Sequence, residues 1–171
     1  MAIFVVSDFF TVPISKQKSG AKLIDVDALK EESKSDSVFG QLLAANGVYV
    51  FSIKAGRGRK PWYVGKSEKS TFLKEAFNER NKNGLAHLIN NRKGTLQVSF
   101  VTQAKSSGKP NLKQIGEIEY LLIGHAAERN SALLNKQNKL QVDDFCIKNI
   151  YNSGAGKAAS HEKAFKSLIG L

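Results

Sequence analysis

The sequence contains a single cysteine, Cys146, among its 171 residues. One cysteine cannot form an internal disulfide, and it cannot supply the ligands of a cysteine-rich metal cluster. Because the residues around Cys146 are apolar, we expect its side chain to be a small buried hydrophobic group. The low cysteine content is typical of an intracellular protein.

Long hydrophobic runs are also missing. A membrane-spanning helix needs about 18–20 apolar residues, and no run in this chain approaches that length. The N-terminal segment MAIFVVSDFFTVP is apolar, but it lacks a basic leader region and a small-residue cleavage site, which argues against a signal peptide. We therefore expect a cytoplasmic protein with no membrane partner.

Acidic residues are few relative to basic ones. The chain has 15 Asp and Glu residues against 26 Lys and Arg residues, which gives a formal net charge of +11 and an isoelectric point near 9.8. Such an excess favours a polyanionic partner, either nucleic acid or an anionic membrane surface. Most of the positive residues are lysines, so a merely solvated surface stays open as an alternative.

The first 45 residues predict a strand followed by a helical region. Residues 3–14 are rich in Phe and Val and predict a strand. Asp25 or Asp27 is a suitable N-cap for the helix, and the serine-rich residues 33–37 predict an interruption within it. A chain of this length is typical of one domain, so we expect this segment to pack on the rest as an N-terminal extension.

Two short runs, residues 48–54 and 62–66, each carry a tyrosine and predict the strands of a β-hairpin. They flank residues 55–61, a predicted loop rich in glycine and basic side chains. Because side chains alternate between the two faces of a strand, Tyr49 shares one face of the first strand with two apolar residues. Aromatic residues in strands usually serve packing, so Tyr49 and Tyr63 alone would be assigned to the core or the surface.

Residues 71–81 predict a helix with an apolar stripe at helical spacing. Arg80 lies three residues after Phe77, which places its stem on the same stripe. One interpretation is a side chain that covers apolar surface with its methylene groups, and the other is a guanidinium directed at an inward-facing anion site. Gly84 predicts a break, followed by a short second helix over residues 85–91.

Residues 95–104 predict a strand, residues 105–110 a basic loop and residues 111–129 a long helix. Within that helix Glu119 falls inside the apolar stripe, whereas Glu117 falls outside it and is expected to be exposed to solvent. A carboxylate on a buried face costs free energy unless it is paired, hydrogen-bonded or bound to a metal. A salt bridge and a Mg²⁺ ligand are both open interpretations of Glu119.

Asn135 follows the long helix and ends an apolar pair of leucines. A helix C-cap or turn is the usual role of such an asparagine, and an amide that holds a tyrosine or a phosphate is the alternative. Residues 139–171 predict a C-terminal extension with an amphipathic helix over residues 158–168.

The tripeptides GVY (residues 47–49) and YVG (residues 63–65), a helical arginine, a glutamate in a later helix and a following asparagine together resemble the GIY-YIG nuclease superfamily. The resemblance covers residues 46–138. It implies an α/β (α+β) fold in which a small central antiparallel sheet is flanked by helices. It also implies a metal-dependent endonuclease that hydrolyses the phosphodiester bonds of DNA.

The resemblance implies a role for five residues. Tyr49 and Tyr63 would meet near the scissile phosphate, where one of them acts as the general base towards water. Glu119 would bind one divalent metal, most readily Mg²⁺, for which Mn²⁺ can substitute. Arg80 would stabilise the phosphate, and Asn135 would orient the site.

Further basic residues are candidates for contacts with the nucleic-acid backbone. They lie in the predicted hairpin loop, directly after the second motif and on the following helices: Arg57, Arg59, Lys60, Lys66, Lys74 and His87. For the loop residues, a flexible and solvated connection is an equally open alternative. Gly65 is expected to let the backbone turn from the strand into the helix.

Two other functional classes stay open. A catalytically degenerate module of the same fold would hold nucleic acid through its net charge without cleaving it. An interaction protein would present its lysines to a protein partner, and its association would be insensitive to salt. Cleavage of DNA that needs a divalent metal and is abolished by EDTA distinguishes the endonuclease from both.

Overall fold

The computed structural model describes residues 2–104, 110–135, 145–153 and 156–171. Its strands are β1 (Ala2–Val6), β2 (Phe10–Thr11), β3 (Ile14–Lys16), β4 (Lys22–Ile24), β5 (Gly47–Ala55), β6 (Gly58–Ser67), β7 (Thr95–Gln103) and β8 (Phe145–Ile147). Its helices are α1 (Val26–Ser35), α2 (Ser37–Leu43), α3 (Phe72–Ala76), α4 (Glu79–Asn91), α5 (Leu112–Arg129) and α6 (Ser160–Ile169). Most of the predicted loop over residues 105–110 and the predicted boundary at residue 138 lie outside the described residues.

One mixed sheet organises the fold. Its strands lie in the order β6-β5-β7-β1-β8, β2 also pairs with β7, and β3 pairs with β4 in a separate ribbon. The described pairings are antiparallel except that of β1 with β8, which is parallel. The predicted mixed α/β (α+β) class is confirmed. The sheet is larger than predicted and is not purely antiparallel, because strands from both terminal segments join it.

Helices pack on both faces of the sheet and create two hydrophobic cores. Helices α5 and α6 cover one face, where Val48 and Val50 of β5 are buried. Helices α1 to α4 cover the other face, where Tyr49 and Phe51 are buried. Successive side chains of a strand point to opposite faces, so these neighbours in sequence enter different cores. The predicted alternation is confirmed, and it places Tyr49 on the side of α3 and α4.

The hairpin of β5 and β6 is longer and tighter than predicted. Ala55 pairs with Gly58, so only Gly56 and Arg57 form the turn, and the predicted loop over residues 55–61 is wrong. Gly56 has a φ of +58°, which glycine adopts without steric cost. The short turn lets the remaining residues of that stretch satisfy their backbone groups across the strand pair.

A β-bulge interrupts β6 at Trp62. Phe51 pairs with Tyr63 and Ser52 pairs with Pro61, so Trp62 is an extra residue on its strand. A bulge changes the direction of the side chains next to it. Trp62 and Tyr63 therefore both pack on the side of the sheet that carries α1 to α4.

Two predicted helix boundaries are wrong. The helix expected over residues 71–81 ends at Ala76, and α4 begins three residues later. Asn78 starts this second helix, because its side-chain oxygen accepts a hydrogen bond from the backbone N–H of Asn81 at 2.9 Å. Helix α4 then continues through Gly84, since burial of its leucines against the sheet outweighs the cost of one glycine.

The remaining boundaries follow the predictions more closely. Asp25 caps α1 by accepting a hydrogen bond from the Ala28 N–H at 2.9 Å, and Asp36 caps α2 after the predicted interruption. The strand predicted over residues 3–14 divides into β1, β2 and the start of β3, because the chain leaves the pairing with β7 between β1 and β2. Cys146 is buried in β8, as expected. No helix in the described parts of the chain is long and apolar enough to cross a membrane.

The outer edge of β6 is covered by the segment that follows α5. The Leu134 N–H donates a hydrogen bond to the Trp62 carbonyl at 2.9 Å. The side-chain amide of Asn135 accepts from the backbone N–H of Val64 and donates to its carbonyl. An edge strand otherwise presents unpaired backbone groups, so this cover fixes the strand that carries Tyr63.

Candidate active site

An open cleft of about 390 Å³ lies beside β6, between α5 and the start of α4. Five residues that the sequence predicts for the site line it: Tyr49, Tyr63, Lys66, Arg80 and Glu119. They come from β5, β6, α4 and α5. The fold thus collects two phenols, two basic groups and a carboxylate in one place.

The two tyrosines lie side by side over a glycine. Tyr49 is paired with Gly65 across the strands, and the Tyr49 and Tyr63 ring centroids are 6.1 Å apart, with 26° between the ring planes. A Cβ atom on Gly65 would lie 2.5 Å from Cζ of Tyr49 and 2.8 Å from the Tyr63 ring. Gly65 lies within β6 and makes room for the rings. The expectation that it turns the backbone into a helix is wrong.

We expect the substitution Gly65→Ala to displace both tyrosine rings and to lower the free energy of unfolding by about 1–3 kcal/mol, the usual range for an overpacked site. Urea denaturation measures this change. Gly84→Ala is the matched control, because a Cβ there would meet nothing within 4 Å. Removing a glycine from a helix interior should raise the free energy of unfolding by about 0.5–1 kcal/mol. A Gly65→Ala variant as stable as the control would contradict the packing described.

Asn81 holds the hydroxyl group of Tyr49. Its Nδ2 atom donates to the Tyr49 hydroxyl at 3.1 Å and to the Glu75 backbone carbonyl at 3.0 Å, and the residue is buried. The Tyr49 hydroxyl also lies near that of Tyr63, so that each phenol affects the pKa of the other. A tyrosine hydroxyl has one proton. Because Tyr49 accepts from Asn81, its own proton stays available to a neighbouring acceptor, and the Tyr63 ring lies beside it.

Burial raises the pKa of both phenols. Tyr49 is only 2% exposed, so burial raises its pKa far above the ordinary value, and a charge on Tyr63 would raise it further. Burial also raises the pKa of Tyr63, but the hydrogen bond from Tyr49 and the Arg80 guanidinium act in the opposite direction. Tyr63 is half-buried, so it is the phenol that water in the cleft reaches.

Glu119 enters the cleft from α5 and is paired with Lys66. Its Oε2 atom lies 3.6 Å from Nζ of Lys66, which is also 2.8 Å from Oε1 of Glu68. Burial raises the pKa of Glu119, and the Lys66 ammonium group opposes this shift only in part. The salt bridge considered as one interpretation of Glu119 is present, and its lysine belongs to the same cleft.

The carboxylates of the cleft are suited to a magnesium ion. Among the described residues, no group of three or more His, Cys, Asp or Glu side chains forms a self-sufficient metal site. Mg²⁺ usually takes one or two carboxylates and completes its coordination with water and substrate phosphate. Glu119 and Glu68 supply two carboxylates, which share a contact with Lys66. The residues present therefore fit a metal shared with a phosphate.

Glu117 is less exposed than expected. Its side chain is 15% exposed, the same as that of Glu119, and its Oε1 atom lies 3.7 Å from Nζ of Lys113. The prediction of a solvent-exposed carboxylate is wrong because α5 is buried around most of its circumference, including at Ile118 and Leu121, which lie outside the predicted stripe. Glu117 does not line the cleft.

Arg80 reaches the cleft from a different helix than expected. It lies in the first turn of α4, not on the apolar stripe of α3, and it is exposed. The helical phase used to place it is therefore wrong, because the chain breaks between the two helices. Its position at the mouth of the cleft leaves a guanidinium available to an anionic ligand, for which its forked donors are suited.

Asn135 lies outside the cleft. Its amide is bonded to the backbone of Val64, between Tyr63 and Gly65. The structure therefore shows neither a phosphate contact nor a tyrosine-hydroxyl contact for this side chain. It holds the backbone of β6 beside the tyrosine pair.

The other basic candidates are not among the residues that line the cleft. Nε of Arg59 donates to Oε1 of Gln97 at 2.9 Å, and its guanidinium lies 4.2 Å from the ring centroid of Phe9. Arg59 thus belongs to the β6 strand surface and not to a free loop. The remaining candidates are exposed at the hairpin or on the helices: Arg57, Lys60, Lys74 and His87.

The sequence-based prediction missed five residues that line the cleft: Glu68, Lys69, Glu75, Asn78 and Asn81. Asn81 is the most informative, since it bonds the Tyr49 hydroxyl directly. Asparagine is a preferred N-cap residue, so Asn78 is a signal that could have located the start of α4. The contact of Asn81 with Tyr49 depends on tertiary packing.

No family model matches the chain, and comparisons with curated proteins and with solved structures found no match.

Proposed function

We propose that the chain is a metal-dependent endonuclease of the GIY-YIG type that hydrolyses phosphodiester bonds in DNA. The observation that carries this proposal is the convergence of Tyr49, Tyr63, Arg80 and Glu119 on one open cleft. The net charge of +11 supports a polyanionic substrate. The sheet flanked by helices on both faces is compatible with this type of nuclease.

Tyr63 is the general base of the proposed reaction. It reaches the cleft, whereas Tyr49 is buried and its hydroxyl is held by Asn81. Burial raises the pKa of Tyr63, the neighbouring Tyr49 hydroxyl and the Arg80 charge oppose that rise, and a bound divalent metal would favour the phenolate further. Tyr63 then takes a proton from the attacking water, and Tyr49 and Asn81 are positioning residues.

Arg80 and Lys66 bind the phosphate. Both line the cleft, and both are partly or fully exposed, so a phosphate can displace their water. The forked donors of Arg80 match two phosphate oxygens, and Lys66 adds a compact positive charge. Their charges stabilise the negative charge that develops on the phosphate in the transition state.

Glu119, with Glu68 beside it, would hold the divalent metal. When bound, Mg²⁺ supplies stabilisation of negative charge on the phosphate and leaving-group oxygens. Lys66, which pairs with both carboxylates, limits their mutual repulsion in the cleft. These carboxylates also orient Lys66 towards the position of the substrate.

Cleavage of DNA in the presence and absence of metal tests the proposal. We expect nicking or cutting with Mg²⁺ or Mn²⁺ and none in EDTA. The substrates are supercoiled plasmid, linear duplex, branched and single-stranded DNA. Absence of metal-dependent cleavage on all four would refute the nuclease proposal.

The Lys66–Glu119 pair favours a second candidate, a nucleic-acid-binding module without catalysis, since the Lys66 ammonium group already supplies a positive charge beside the carboxylate that would hold a metal. This candidate predicts binding that weakens steeply with salt and no cleavage with either metal. The same assay, combined with fluorescence anisotropy at several salt concentrations, distinguishes the two.

A further inference from the structure

A second cavity of about 140 Å³ adjoins the cleft. Tyr63, Arg80 and Asn81 line both cavities, so the two are adjacent at these side chains. The remaining walls of this side pocket are Gly84, Leu85 and Leu134. The proposed mechanism uses none of these three residues.

The walls of the side pocket suit a flat, partly apolar group. Leu85 is buried and forms part of the core, whereas Leu134 is 47% exposed although it is a large apolar residue. The Tyr63 ring supplies an aromatic surface, and Arg80 and Asn81 supply polar groups at the junction with the cleft. Aromatic and apolar walls with a few polar groups are typical of sites that receive a nucleobase.

Gly84 is an independent indication that the pocket is kept open. It lies in the interior of α4, where glycine is less favourable than alanine by about 0.5–1 kcal/mol. Neither its backbone conformation nor its neighbours require glycine, because its φ is not positive and a Cβ would meet nothing within 4 Å. Gly84 lines the pocket, so its missing side chain leaves space at the pocket wall.

We propose that the side pocket binds one unstacked nucleobase next to the phosphate held in the cleft. The assignment rests on the proposed function, since it needs a phosphodiester between Arg80 and Lys66. A base inside a continuous duplex stack cannot enter such a pocket without leaving the stack. The preferred substrate therefore carries an unpaired nucleotide on one side of the scissile phosphate.

The test measures binding of the dinucleotide TpT in EDTA by NMR titration of the full chain. TpT has one phosphodiester with a base on each side, and two analogues each lack one of the bases. Removal of the base that enters the pocket should weaken binding about tenfold, which is the effect of one stacked base. Removal of the other base should change the affinity less than about threefold. Shifted methyl signals of Leu85 and Leu134 identify the pocket.

Gly84→Leu places a side chain in the pocket from a position that does not itself line the cleft. It should weaken binding of TpT about tenfold. It should leave unchanged the affinity of the analogue that lacks the pocket-bound base, because that analogue has no base to insert. Leu134→Ser, which removes an exposed apolar wall, should act in the same direction. Asn83→Leu, at an exposed position beside Gly84 that does not line the pocket, is the control and should leave TpT binding unchanged.

Two results would overturn the assignment. One is a change in TpT affinity of less than about twofold when either base is removed, which is well below the contribution of a stacked base. The other is an equal loss of affinity for TpT and for both analogues in Gly84→Leu. Metal-dependent cleavage combined with either result would leave the nuclease proposal intact. Base-dependent TpT binding without cleavage of any DNA would leave the pocket assignment intact and refute the nuclease.

Discussion

Replacement of Glu119 by glutamine is expected to lower the rate of metal-dependent DNA cleavage by at least about a hundredfold, while DNA binding is retained. Glutamine keeps the size of the side chain but removes the charge that would hold a divalent metal. It also frees Lys66 from one of its two carboxylates, so contact with phosphate is not weakened. Single-turnover cleavage rates and fluorescence anisotropy measure the two properties separately.

Glu117→Gln is the matched control for this prediction. Glu117 lies on the same helix, has the same 15% exposure and pairs with a lysine, but it does not line the cleft. Its substitution should leave the cleavage rate within about twofold of the wild type, as is usual for changes away from the reacting groups. Full activity of Glu119→Gln, or equal losses in the two variants, would remove Glu119 from the mechanism.

Tyr63→Phe is expected to reduce cleavage by roughly 10²–10⁴-fold, the usual contribution of a general base. The ring is retained against Phe51, whose centroid is 6.5 Å away, so the fold should not change. Only the hydroxyl that reaches the cleft is lost. Single-turnover rates at saturating Mg²⁺ measure the effect, and thermal unfolding confirms that the variant is folded.

Tyr49→Phe distinguishes the general base, Tyr63, from the residue that positions it. Tyr49 is buried and acts through its contact with Tyr63, so loss of its hydroxyl should reduce cleavage by roughly tenfold, about the value of one hydrogen bond. Asn81→Ala should resemble Tyr49→Phe, because both remove the hydrogen bond between Asn81 and the Tyr49 hydroxyl. A larger loss in Tyr49→Phe than in Tyr63→Phe would reverse the assignment of the base.

Local patterns in the sequence were sufficient for much of the sheet and for α5. The alternation in β5 and β7 correctly separates side chains between the two cores, since a strand has a fixed two-residue period. The buried-face position of Glu119 followed from the helical period in the same way. These features depend on residues that are close in sequence.

Features set by pairing and packing could not be obtained from the same patterns. The bulge at Trp62 depends on the register between two strands, and the break before α4 depends on the side-chain bond of Asn78. Because of this break, Arg80 lies on α4 and not on the predicted helix, although it still lines the cleft. The contact of Asn81 with Tyr49 joins residues that no local periodicity relates.

The covered edge of β6 also bears on how copies of the protein meet one another. An open strand edge acts as a template on which a second chain can add a strand, which leads to aggregation. The amide of Asn135 occupies the donor and the acceptor of Val64 that such a strand would use. A net charge of +11 adds repulsion between molecules. Both the Asn135 cover and this charge therefore oppose the addition of a strand at this edge.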